Sequence, residues 1–175
     1  MKSNEQGVAH QRAISFSISL QLLSSRARGR TFNVSQRMIR THLELALSER
    51  FSSDPFEIHE EHAPFATLDA PCDGIGRLEL CDDGDEVTVY LTGLTHGHFG
   101  CYEDDLSTEE KEKAIASDVV DFLDALFADR IVAYRVIGGF AGGWRLLDDG
   151  EDLPPPSKLK SQYVWSHPIK NEERG

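Results

Sequence analysis

His96 and His98 stand two residues apart in the run His96-Gly97-His98-Phe99-Gly100-Cys101. In an extended segment, residues i and i+2 share a face, so two imidazoles would sit side by side. Such a pair can hold Zn²⁺, with the Cys101 thiolate as a third ligand. Glu103 and Asp104 follow closely, and His59 or His62 could arrive from another strand. A metal held this way would activate a water, which makes a small metal-dependent hydrolase one reading of the chain. The plainer reading is a pair of strand-end histidines and no cofactor, because His-x-His alone lacks the second ligand pair of a metal motif.

Other motifs carry less. His59-Glu60-Glu61-His62 would share a face on a helix but not on a strand, and its surroundings read as extended. Asp82-Asp83-Gly84-Asp85-Glu86 has contiguous acids between β-rich runs, unlike the spaced acids and flanking helices of a calcium loop. The glycine-rich stretch 138–143 leads into Trp144-Arg145 and a strand, whereas a phosphate loop needs a helix N-terminus there. Phe140 and Trp144 beside those glycines suit a contact loop. Serines are plentiful, but no Gly-x-Ser-x-Gly occurs.

Charge is the broadest functional signal. The chain has 175 residues and a net charge of −12. Residues 1–42 carry +6 and residues 43–175 carry −18. So acidic a body repels phosphate backbones and anionic lipid, which argues against nucleic-acid and membrane partners. A basic protein surface is its natural complement. Asp118, Asp121 and Asp124 fall outside the apolar stripe of a helix and form a candidate docking surface for such a partner. Three cysteines, none in a Cys-x-x-Cys, suit reduced thiols and a cytoplasmic setting.

The elements that must position these residues are legible from periodicity. Residues 1–12 read as a mobile tail. Ile14, Phe16, Ile18, Leu20 and Leu22 alternate with polar residues, which predicts a strand that could also pair with a second subunit as a homodimer. A basic loop over 24–33 precedes a helix from Ser35 to Arg50, whose stripe is Ile39, Leu43, Ala46 and Leu47. A weak strand over 56–62 and a loop over 63–74 come next. Ile75–Cys81 and Val87–Leu94 then predict a hairpin, and Thr95–Tyr102 a further extended segment. Ser107 and Glu110 form a capping box ahead of a helix with the stripe Ile115, Val119, Phe122 and Leu126. Strands over 131–137 and 144–147 follow. Pro154-Pro155-Pro156 then ends the domain and opens an extension, whose Tyr163 and Trp165 could dock on the body.

The expected fold is α+β: a largely antiparallel sheet of about six strands with two main helices on one face, in one domain over 13–153, with 154–175 as a Pro-rich extension. The expected function is an acidic cytoplasmic binding module, of the inhibitor or immunity type, for a basic partner. The metal-dependent hydrolase is the alternative. It requires one metal per chain in elemental analysis of untagged protein, lost in the His96→Ala/His98→Ala double variant.

Overall fold

The computed structural model describes residues 36–52, 56–60, 63–138, 142–147 and 154–169. The strand expected over 14–22, the basic loop, Ser35, His62 and Phe140 lie outside them. The first helix, α1, spans Gln36–Arg50. Ile39, Leu43 and Leu47 recur one turn apart on it and are all buried.

Five strands form an antiparallel meander in chain order: β1 (Glu57–Ile58), β2 (Ala66–Asp69), β3 (Arg77–Asp82), β4 (Glu86–Leu91) and β5 (Thr95–Gly100). The second helix, α2 (Thr108–Phe127), follows. The remaining strands are β6 (Ile131–Val136), β7 (Gly142–Leu146), β8 (Leu159–Val164) and β9 (His167–Pro168), a second sheet in the order β7-β6-β8-β9. Every pairing is antiparallel. The fold is therefore α+β with two helices, as the pattern predicts, but its strands divide between two sheets.

Two segments differ from the sequence reading. The stretch 63–74 contains β2 as well as loop. A strand of four residues set between Pro64 and Pro71, β2 is too short for a period to stand out, and its pairing with β3 defines it. The prolines at 154–156 lead through a 3₁₀ turn into β8, which pairs with β6 inside the second sheet. No clean alternation announces β8, because its interior residues Ser161, Gln162 and Tyr163 are all half-buried. Trp165 belongs to the core, its ring 5.0 Å from that of Phe127. The following turn is tied to the end of α2, where Asp129 accepts from the Ser166 backbone N–H (2.9 Å) and hydroxyl (2.5 Å). Asp129 has φ 56°, the left-handed conformation that helix ends use and that Asp tolerates.

The core lies between the helix pair and one face of the first sheet. Leu78 and Leu80 of β3 and Val87, Val89 and Leu91 of β4 meet Ile115, Val119, Leu123 and Leu126 of α2 and the α1 stripe. Ser107 caps α2 as predicted: its Oγ accepts from the Glu110 N–H, and the Glu110 carboxylate accepts from the Ser107 N–H at 2.9 Å. Arg40 secures α1 to the sheet. Its Nε donates to Glu44 (2.6 Å), its Nη1 donates to the Glu60 carbonyl (2.9 Å), and its guanidinium lies 5.5 Å from the Phe65 ring centroid.

The two sheets meet through α2. The Phe122 ring stands edge-on to Phe99 of β5 (5.2 Å) and to Trp144 of β7 (4.9 Å). Such proximity needs glycine. A Cβ at Gly142 would lie 2.3 Å from the Leu94 carbonyl oxygen and 2.8 Å from that of Tyr134. Arg135 adds a hydrogen bond of 2.6 Å from Nη2 to the Gly93 carbonyl.

These contacts set an order of stability losses. Ser107→Ala removes an exposed cap and should cost about 1 kcal/mol. Gly142→Ala forces backbone apart and should cost about 2 kcal/mol or more. Leu123→Ala opens a cavity in the core and should cost about 3 kcal/mol. Urea midpoints at constant slope check the ranking.

Candidate functional site

The pleat of the first sheet sorts its side chains. Register pairs Glu86 with Gly100, Thr88 with His98 and Tyr90 with His96 across β4 and β5. It pairs Glu79 with Tyr90 and Cys81 with Thr88 across β3 and β4. Because Leu78, Leu80, Val87 and Val89 fill the core, these alternate residues all project from the opposite face. His96 and His98 do share a face, as their spacing predicts. Their rings are T-shaped at 5.0 Å, and His96 lies 5.4 Å from the Tyr90 ring.

His98 heads a polar chain. Its Nδ1 is 2.9 Å from Glu86 Oε1 and 3.1 Å from Thr88 Oγ1. The fully buried Thr88 hydroxyl donates its single proton to Asp83 at 2.6 Å. Thr88 can then only accept from His98, so Nδ1 carries a proton and donates to both oxygens. This arrangement fixes the ring and, in the neutral form, leaves the Nε2 lone pair open.

Burial, with the neighbouring His98 adding to it, holds the His96 imidazole below its usual 6.5. Burial also raises Tyr90, reinforced by Asp83, Cys81, Glu79 and Glu86. Tyr102, 82% exposed, is raised by its slight burial, by Glu86 and Asp85, and by its hydrogen bond to Glu86. The Cys81 thiol is pushed up to about 11, chiefly by burial and then by Asp83 and Glu79. It stays protonated at neutral pH, with Thr88 between its strand and that of His98. That is the opposite of an activated thiolate–histidine pair.

The metal-ligand set expected from sequence is not assembled here. Cys101 is half-buried and packs on the core, away from the face of His96 and His98. The period of two that unites the histidines separates the thiol from them. Glu103 and Asp104 are exposed beyond the end of β5. The His59 ring engages Thr67 Oγ1 at 3.2 Å near the far edge of the sheet. Among the described residues, no group of three His, Cys, Asp or Glu side chains is placed to hold a metal.

The candidate docking residues also separate. Asp124 receives two hydrogen bonds from Arg50 Nε, at 2.7 and 3.0 Å, and so joins α2 to α1. Asp118 is half-buried, whereas Asp121 is exposed. Trp144 packs between Phe122 and the β5 backbone, its Nε1 3.0 Å from where a Cβ on Gly97 would stand. Tyr90, Tyr102 and Glu86 are the members of the site that motif reading misses. The alternation of Val87, Val89 and Leu91 with Glu86 and Tyr90 was the available signal.

No protein-family model, no characterised protein and no solved structure matches the chain. Among the described residues, no helix is long and apolar enough to cross a membrane.

Two titrations follow. NMR should place the His96 midpoint below 6.5, and His98→Asn should move it part of the way back, since burial remains. The folded chain holds this proton less tightly than the unfolded one. His96 therefore leaves stability unchanged above the unfolded value and lowers it as pH falls from there through the folded midpoint. Alkylation of Cys81 at pH 8 should be far slower than that of free cysteine, and urea should abolish the difference.

Proposed function

We propose that this chain is an acidic binding module for a basic protein, received on the outward face of β3, β4 and β5. The observation that carries the reading is the exposure of Tyr90 and Tyr102 among the carboxylates of Glu79, Asp83, Asp85 and Glu86. Such a face combines flat π surfaces with acceptors. An arginine can stack on a phenol ring while its N–H groups reach a carboxylate. Glu86 and Asp83 are oriented by His98 and Thr88, and each carboxylate keeps further lone pairs for a partner.

The rest of the body supports the same class of partner. The −18 charge of residues 43–175 would steer a cationic surface toward the module from a distance. An inhibitor or immunity-type protein acting on a basic target fits this description. A cytoplasmic setting suits the free thiols Cys72, Cys81 and Cys101. The α2 aspartates fit the role less well, since Asp124 is already engaged by Arg50. Charge reversal there would break a structural ion pair as well as any docking contact.

Amide and ring shifts on titration with a short arginine-rich peptide check the proposal. They should concentrate on residues 79–102, weaken with added salt, and be larger than those from a lysine-rich peptide of equal charge. Tyr90→Ala/Tyr102→Ala should weaken binding tenfold or more, and Asp121→Lys by less than threefold. Shifts spread evenly over the acidic surface, or indifference to the tyrosines, would remove this face from consideration.

A further inference from the structure

His96 and His98 lie within the face assigned above to a basic partner, and both are exposed. Their rings are 5.0 Å apart, with the Tyr90 ring 5.4 Å from His96. Imidazole is the side chain whose ordinary charge change falls between about pH 5 and 8. Two such groups therefore stand where a cation is to be received.

The neighbours of the pair come from every element around it. β4 places Glu86 at 2.9 Å from His98 Nδ1 and Tyr90 beside His96. Thr88 links the same Nδ1 to Asp83 of the β3–β4 turn. β3 sets Glu79 opposite Tyr90 and Cys81 opposite Thr88, and Tyr102 reaches Glu86 from beyond β5. Arg77 lies further along β3 and is held by Asp69 at 2.8 Å. β7 meets β5 through Trp144 at Gly97, on the core side of the strand.

Neutral His98 presents its Nε2 lone pair, an acceptor for an incoming guanidinium. Protonation turns that atom into a cationic donor, which repels the same group at contact. His96 can add a second positive charge, taken up separately because the first repels it across 5.0 Å. Two protons would halve the charge of Glu79, Asp83, Asp85 and Glu86.

We propose that protons and the basic partner compete for this face through His96 and His98, so that the module holds its partner near neutral pH and releases it in mild acid. The inference rests on the arginine-binding reading of the face and adds its regulation. A bound cation disfavours a charged imidazole, so the complex holds these protons less tightly than the free chain. Affinity is therefore complete above the midpoints of the free chain and falls as pH drops through them. Burial and His98 hold the His96 imidazole below its usual value, which puts its share at the acid end of that fall.

The test is titration of the full chain with the arginine-rich peptide at pH 7.5 and pH 5.5, at constant ionic strength. Affinity should fall at least fivefold at the lower pH. In His96→Gln/His98→Asn, whose amides stay neutral, the fall should be less than twofold. In the unaltered chain, saturating peptide should lower the NMR midpoints of both rings, a readout that needs no variant. Equal affinity at the two pH values, with shifts still centred on residues 79–102, would overturn the competition and leave the arginine face standing. A fivefold fall that persists in the double variant would also overturn it, since the carboxylates would then be responsible. Absence of binding at pH 7.5 would remove the face itself, and the competition with it.

Discussion

The packing of Phe122 against Phe99 and Trp144 ties the structure together. One helical side chain contacts a strand from each sheet, so the two sheets share a boundary at α2. The contact demands close backbone approach, and Gly97 and Gly142 permit it. Once β5 is held by Phe99, the pleat leaves no choice for its neighbours in the chain. Residue 98 must face away from Phe99, and residue 96 with it. The outward presentation of His96 and His98 is thus a consequence of core packing on the reverse side of the strand.

The same reasoning explains which parts of the molecule the sequence reveals. Both helices were readable because each buries one stripe and exposes the rest, and Ser107 with Glu110 marks the start of α2 through local chemistry alone. The β3–β4 hairpin was readable because one of its faces is apolar. β2 and β8 were not, for different reasons. β2 has only four residues, and both Ala66 and Thr67 are buried, so no alternation stands out. β8 has β6 and β9 on either side and half-buried residues through its middle, so hydrophobic alternation never develops. The division of the strands into two sheets depends on Phe122, Gly142 and Arg135 meeting residues 22 to 48 positions away, and no local pattern encodes that meeting.

The site was legible only in part. The shared face of His96 and His98 follows from period two, and the structure has it. The same rule applied to Cys101 places it on the other face, where it packs with the core, so spacing alone argues against the thiol as a third ligand. What spacing could not supply was the cross-strand register. Register puts Tyr90 opposite His96 and Thr88 opposite His98, and it brings Glu86 onto Nδ1. These partners turn a histidine pair into a polar and aromatic surface. Asp124 shows the converse, since on the helix it looks like one of three free acids, and only the packing of α1 reveals Arg50 beside it.

Electrostatics then distinguishes the two faces of this molecule. On the sheet, carboxylates surround phenol and imidazole rings, and neighbouring acids together with burial keep Tyr90, Tyr102 and Cys81 protonated. Protonated phenols remain uncharged and retain an O–H donor, which suits stacking with a cation and hydrogen bonding at its rim. A deprotonated thiolate or phenolate would instead add charge and reactivity. Tyr90, Tyr102 and Cys81 are thus not activated as nucleophiles by their surroundings. Between the helices the charges are instead paired one to one, Arg50 with Asp124 and Lys113 with Glu109, so the acids there are spent on holding α1 and α2 in place.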